Sequence, residues 1–516
     1  MHIARLLEAS ADRYPDHLAL VFEDRRWTYT QWLGRVRRFA QALGDLGVRP
    51  GDRVAFYVST SENSVTTYFA CQFLGAVAVP MNFRLSPGEA AYILQDSGAR
   101  VLVYGRSLTE NALKIEAQIR SVHDFIGCAY DRTNIPDGHH HFDTLAEETV
   151  DRDEPRPVPD GNAISSLVYT SGTTGVPKGA MLTHRNLVAT ALTCRDHFEL
   201  DGASRIFGVA PLFHITGFEI QMIAAFVSGG AMVLTYRFQP QVALDAFLEW
   251  RPTFIVGAIT AFIALMNQPA ATGRHFGSFI HIYSGGAPIA PSVIDAFAAR
   301  FGRAIRSSYG MTELTSASHL APNDGRIPVD PESGALSIGK PTPGVDAIVV
   351  DDARRPLGPG EHGEVVVRGP GVMAGYWRKP AETDEVLTKG WLHSGDVGFF
   401  DADGWFYLVD RKKDMISASG FKVWPREVED VIYAFPGVRE AAVVGAADPY
   451  RGETVVAFVS AQPGAAIDVA ALTRFCRERL AAYKCPAEIC VLDDLPKTES
   501  GKITRNTLRD SLDRMR

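Results

Sequence analysis

Between Thr170 and Gly179 the chain reads "TSGTTGVPKG". It carries hydroxyls at Thr170, Ser171, Thr173 and Thr174, glycines at Gly172 and Gly175, and an ammonium at Lys178. These residues build no core. Gly172 and Gly175 permit positive φ and close backbone approach, and successive N–H groups in such a turn form a nest for an anion. Hydroxyl donors and a Lys charge added to that nest suit a polyphosphate. The donor density exceeds that of an ordinary surface turn. The GxxxxGK[ST] phosphate loop needs Gly before its Lys and Ser or Thr after it. Here Pro177 precedes Lys178 and Gly179 follows, which disfavours a GTPase or an ATP-hydrolysing motor.

Three further clusters could do chemistry. In "YGMTE" (309–313), Tyr309 offers an aromatic face and Glu313 a carboxylate. They follow the strand-like "AIRSSYG", at the strand end where α/β sheets present ligands. In "HSGD", Asp396 can accept two hydroxyl hydrogen bonds. In "SGKITR", Lys502 sits in a Gly/Ser turn near the C-terminus.

The elements that must position these clusters alternate strand and helix. Helical spacing marks 29–48 and 64–76, and strand patterns mark 52–58, 101–105, 164–170, 205–211, 231–236, 253–258 and 279–285. After the glycine-rich loop, "AMLTHRNLVATALTCRDHF" is predicted as a helix. Short strands follow from about 336 ("AIVVDD", "GEVVVRG", "GWFYLVD"), and a ββαβ-like pattern follows 410. The fold class is therefore α/β: a large N-terminal domain, 1–410, of helix-covered, mainly parallel sheets plus a small β-barrel or sheet, and a smaller mobile α+β domain, 411–516.

At 516 residues the chain is long for one core. A net charge of −8 gives no broad footprint for nucleic acid or anionic membrane. The six cysteines form no CxxC and read as reduced thiols. The N-terminus shows no secretory signal. The apolar run 254–266 is too short to span a bilayer and reads as strand plus helix. A cytoplasmic protein is expected; peripheral membrane contact and a homodimer are compatible with these features. The triplet His139–His141 reads as solvated surface.

The loop at 169–186 resembles the signature loop of AMP-forming acyl-CoA synthetases, in the superfamily that also holds peptide-synthetase adenylation domains and beetle luciferase. "YSGGAP" (283–288), "SSYGMTE" (307–313), "GWLHSGDVG" (390–398), "LVDRKKDMISASGFKVWPREVE" (408–429) and "PKTESGKITRNTLR" (496–509) resemble further motifs of that family, in family order and over nearly the whole chain. The resemblance implies an ATP-dependent ligase that forms acyl-AMP and pyrophosphate and then passes the acyl group to coenzyme A. It implies that Tyr309 stacks on adenine, that Asp396 and Arg411 hold the ribose, and that Glu313 with Thr173 holds Mg²⁺. Gly286, Ala287, Gly310, Met311 and Thr312 would complete the nucleotide site. Lys502 would bridge the carboxylate and α-phosphate, where a fixed ammonium offsets two meeting anions. Lys413 matches the pivot of the small domain, and the turn at Ser419–Gly420 would face the thiol. Many relatives carry Lys where this chain has Ser419, which leaves the thiol step with less support than the first.

By the same resemblance, 210–219 lines the acyl site. His214 is expected as a wall and gate residue rather than a base, because a carboxylate has no proton to remove. Phe218, Gly257 and Gly285 are expected beside it. The surroundings are apolar, which suits a medium or long fatty acid or an aryl acid. A dicarboxylate would call for a deep Arg, and none is identifiable. Rival readings are an adenylating enzyme that loads a carrier protein, a luciferase-like oxygenase and a non-catalytic nucleotide sensor.

Overall fold

The computed structural model describes residues 2–129, 135–152, 160–170, 176–287, 289–331, 333–411, 414–418, 421–448, 452–498 and 501–515, with the side chains of 410, 411, 422 and 513–515 left out. Lys413, Ser419 and Gly420 fall outside these residues, as does the loop 171–175.

Three sheets organise the chain. The first runs, in spatial order, His140–His141, Asp124–Cys128, Ala99–Gly105, Arg53–Tyr57, Val77–Pro80, Ile164–Thr170 and Lys178–Thr183. All its pairings are parallel except the last. Its central strands are apolar almost throughout, because helices cover both faces.

The second sheet has a parallel centre: Leu18–Phe22, Ala231–Leu234, Arg205–Gly208, Phe254–Gly257, His281–Gly285 and Arg306–Met311. Beyond Arg306–Met311 it turns antiparallel through Ser316–Leu320, Ser337–Pro341, Phe406–Arg411, Trp391–Phe400, Gly363–Arg368 and Asp346–Val350. The late short strands thus continue the main sheet without a break in hydrogen bonding.

The third sheet joins Phe421–Val423, Ile416–Ala418, Gly452–Ala461 and Val438–Asp448, with Glu488–Leu492 added in parallel. Alternation along its strands sends Ala441, Val443, Val455 and Ala457 to one face, packed with Val428, Ile432 and Leu472. Ala442, Val444, Val456 and Phe458 go to the other, against Leu508 and Leu512 of the last helix.

Two expectations fail locally. Residues Lys178–Thr183 form a strand, antiparallel to Ile164–Thr170, and the helix begins only at His184. The glycine-rich segment therefore joins two strands of a hairpin. Thr183 then starts the helix with a capping box: Asn186 N donates to Thr183 Oγ1 (3.2 Å) and Thr183 N to Asn186 Oδ1 (2.9 Å). The His139–His141 triplet is not free surface either. The His139 side chain is 2% exposed, stacks on Phe125 and hydrogen-bonds with Tyr104 Oη (2.8 Å). His140 pairs with Asp124 and His141 with Ala129 O. All six cysteines are free thiols. No helix among the described residues is long and apolar enough to cross a membrane.

Candidate active site

Strand ends from two sheets meet at the site. Thr170 and Lys178 are register partners at the mouth of the hairpin. Ser171, Gly172, Thr173, Thr174 and Gly175 lie outside the described residues, so their expected contacts carry no geometry. Lys178 Nζ stands 5.3 Å from the ring centre of Tyr376, a cation–π arrangement. Tyr376 Oη donates to Glu313 Oε1 at 2.8 Å. Burial, and then the Glu313 charge, push the Tyr376 hydroxyl pKa far up, so it remains a donor. Tyr376 is delivered by a segment laced to the hairpin strand: Met181 N donates to Gly375 O, Ala374 N to Met181 O and Trp377 N to Gly179 O.

Glu313 sits in the 3₁₀ turn Thr312–Leu314, directly after the strand Arg306–Met311. Its carbonyl accepts from Met373 N at 2.9 Å. The chain reverses there through two non-glycine residues in the left-handed region, Thr315 (φ 54°) and Ser316 (φ 86°). Such strain costs about 1–3 kcal/mol per residue and concentrates at functional sites. Gly310 admits no side chain, since a Cβ there would lie 1.5 Å from Ser316 O. Met311 and Thr312 are partly exposed beside it.

Tyr309 Oη donates to Asp396 Oδ2 at 2.7 Å, bringing together two residues expected on the nucleoside. His319, the cross-strand partner of Tyr309, packs against its ring with centroids 5.6 Å apart. Burial pushes the His319 pKa down to about 3, so this support is neutral. Asp396 is the register partner of Arg411, which places both positions side by side.

Lys502 arrives from the small C-terminal unit. A Cβ on Gly286 would meet Lys502 Cε at 3.0 Å and Nζ at 3.4 Å, so the ammonium lies directly over this turn. Gly286 has φ +77°, and Ala287 beside it is partly exposed. The adjoining Gly501 O accepts from Thr260 Oγ1 at 2.9 Å, which ties the Lys502 turn to the large unit. Gly285 backs onto Ser308, whose Oγ would be 2.4 Å from an added Cβ.

Of the expected acyl residues, His214 and Gly285 lie near Lys502. Burial first, and the Lys502 charge second, push the His214 pKa down to about 3. Its Nδ1 accepts from Thr216 N at 3.3 Å. An imidazole this weakly basic is a poor general base. Phe218 is wholly buried in the π-helix Thr216–Ile223, edge-on to Tyr68. Gly257 leaves room for Val209, whose Cγ1 would be 2.7 Å from an added Cβ.

No cluster of three or more Asp, Glu, His or Cys side chains able to hold a metal ion occurs among the described residues. Glu313 offers a single carboxylate. That fits Mg²⁺, which takes one or two carboxylates and completes its shell with phosphates and water.

The motifs did not reveal Tyr376, Thr260 or His319. The aromatic pair in "GYWRKP" is a signal of a kind, but no spacing tells that Tyr376 meets Lys178 and Glu313. His319 was reachable in principle, once Tyr309 was placed on a strand paired with its successor.

Comparison with known proteins gives the family. The model of the AMP-binding enzyme family matches residues 7–377, and that of the AMP-binding enzyme C-terminal domain matches 427–502. The chain is 35% identical to a long-chain-fatty-acid–CoA ligase of Bacillus subtilis strain 168, covering 98% of this chain and 93% of that one. It is 37% identical to a feruloyl-CoA synthase of an Amycolatopsis species, over 93% of each. The structure superposes on ATP-bound MatB from Rhodopseudomonas palustris with a TM-score of 0.88 at 30% identity, covering 99% of both chains. On these matches the chain belongs to the AMP-binding enzyme family and is an AMP-forming acid–thiol ligase.

Proposed function

We propose that this enzyme adenylates a monocarboxylic acid with an apolar body, a medium- or long-chain fatty acid first among them, and transfers the acyl group to coenzyme A. The observation that supports this best is Lys502 lying over Gly286, beside His214 and the 254–266 segment. That is where a carboxylate and an α-phosphate would have to meet.

In the first step a carboxylate oxygen attacks the α-phosphorus of ATP, and the bond to pyrophosphate breaks. Two anions approach each other, so a fixed ammonium at Lys502 lowers the barrier. Tyr309 would stack on adenine, with Gly310, Met311 and Thr312 along its edge, while Asp396 and Arg411 hold the ribose hydroxyls. The 170–178 hairpin would cradle the phosphates. Glu313, oriented by Tyr376, and Thr173 would hold Mg²⁺, which supplies charge neutralisation on the phosphates when bound. In the second step the coenzyme A sulfur attacks the acyl carbonyl and AMP departs. The small domain, 411–516, would turn about Lys413 between the steps and bring Ser419–Gly420 to the thiol.

An aryl acid is the second reading, favoured by the 37% identity to a feruloyl-CoA synthase. Loading of a carrier protein is the alternative acceptor. A panel of fatty and aryl acids, assayed for AMP and pyrophosphate with and without free coenzyme A, tests all of this. Acid-dependent AMP is expected. Orthophosphate without AMP would overturn the reading, and turnover only with a carrier protein would replace the acceptor.

A further inference from the structure

Glu219 lies in the π-helical segment Thr216–Ile223 and is wholly buried. Among the described residues nothing hydrogen-bonds either of its carboxyl oxygens. Burial pushes its carboxyl pKa well above the usual range, which favours the neutral acid. Tyr68, on the helix Glu62–Leu74, is equally buried, with Ser165 and Ser166 beside its hydroxyl. The two lie in one neighbourhood: Phe218, next to Glu219 in the chain, packs edge-on to the Tyr68 ring at 4.6 Å, and Glu219 is within electrostatic reach of Tyr68 and Cys194.

The same helix treats its next polar residue differently. Gln221 Oε1 accepts from Ala210 N at 3.2 Å, and its Nε2 donates to Val256 O. The fold thus answers Gln221 from the backbone and leaves Glu219 bare. Each unanswered buried polar group costs about 1–3 kcal/mol, and a leucine would fill the space without that loss. π-Helical turns recur at functional sites. At its start His214 and Thr216 are partly exposed, as are Ala258 and Gly285 at the ends of the strands Phe254–Gly257 and His281–Gly285.

We propose that Glu219, with Tyr68 beside it, determines specificity by hydrogen-bonding a hydroxyl carried at the buried end of the acid's apolar body. This rests on the reading of 210–219 as the acyl wall. A neutral carboxyl both donates and accepts, and so does a hydroxyl, so each satisfies the other without bringing charge into the core. Two kinds of acid present that chemistry: hydroxyaryl acids, and alkanoic acids with a terminal hydroxyl.

The test compares matched pairs by acid-dependent AMP formation. One pair is an arylpropenoic acid with and without a ring hydroxyl; the other is a straight-chain acid with and without an ω-hydroxyl. The full-length wild-type enzyme is expected to prefer the hydroxylated member of one pair, which identifies the source, by roughly ten- to a hundredfold in kcat/KM. Glu219→Gln, which still donates and accepts, keeps most of that preference, whereas Glu219→Leu erases or inverts it. Wild-type turnover with no hydroxyl preference in either pair overturns the proposal and leaves the ligase reading intact. So does an unchanged preference in Glu219→Leu. Absence of AMP with every acid overturns the ligase reading itself, and this inference with it.

Discussion

Lys502 and His214 share a confined space, and only one of them carries charge. With a pKa of about 3, His214 is neutral throughout the ordinary working range, so the ammonium acts on the reacting anions undiluted. Lys502→Ala is therefore expected to lower acid-dependent pyrophosphate exchange by at least about a hundredfold, the usual cost of one preorganised transition-state contact. Thiolysis of supplied acyl-AMP should be largely spared; equal loss in both assays refutes the role. Tyr376→Phe keeps the ring beneath Lys178 but removes the donor to Glu313. Its expected signature is roughly a tenfold loss in kcat/KM for ATP, with a raised magnesium requirement, read from a magnesium titration. Lys178, Glu313, Asp396 and Lys502 were legible because each lies in a short motif of distinctive composition. Tyr376 and Glu219 were not: their importance comes from which distant atoms they meet or fail to meet.

At the scale of elements, strand–helix alternation was readable wherever apolar periodicity ran long enough to fix its own period. It failed at Lys178–Thr183, where six residues run into a helix with no Gly or Pro between them. Pairing with Ile164–Thr170 decides that segment, and local sequence does not encode it. The helix that follows makes another tie. His184, its first residue, has its ring centroid 4.0 Å from that of His2, which caps the first helix, Ile3–Arg13. Burial lowers His2 to about 4, with Arg5 contributing, and lowers His184 to about 3, with His2 contributing. Both folded values lie below the unfolded 6.5. The unfolded chain therefore binds more protons, and stability declines as pH falls from 6.5 toward 4. The melting temperature of wild type should drop between pH 7 and pH 5 by more than that of His184→Phe. Equal drops would show that the pair carries none of the acid sensitivity.

The whole molecule is held with its small unit against the large one through Thr260 and Gly501. Gly501 has φ +81°, and a Cβ there would come within 2.5 Å of Thr260 Oγ1. Gly501→Ala should thus impair adenylation at least tenfold while thiolysis of supplied acyl-AMP persists, because in the proposed cycle only the first assay needs this closure. Loss of both would point to misfolding of the turn. The two-unit plan was legible from the change of pattern near 410. The path by which the late strands extend the main sheet was not, since it depends on pairings between segments far apart in the chain.

Lys178 belongs to one sheet and Glu313 follows a strand of another, and the backbone lacing of 179–181 to 374–377 helps set their separation. The proposed grip on a triphosphate would thus be shared property, complete in neither half. A chain cut in the exposed turn at Asp201 would leave Lys178 on one fragment and Tyr376 with Glu313 on the other. Each piece alone would be inert, and activity on mixing would report their reassembly, making the enzyme a natural candidate for a two-part reporter.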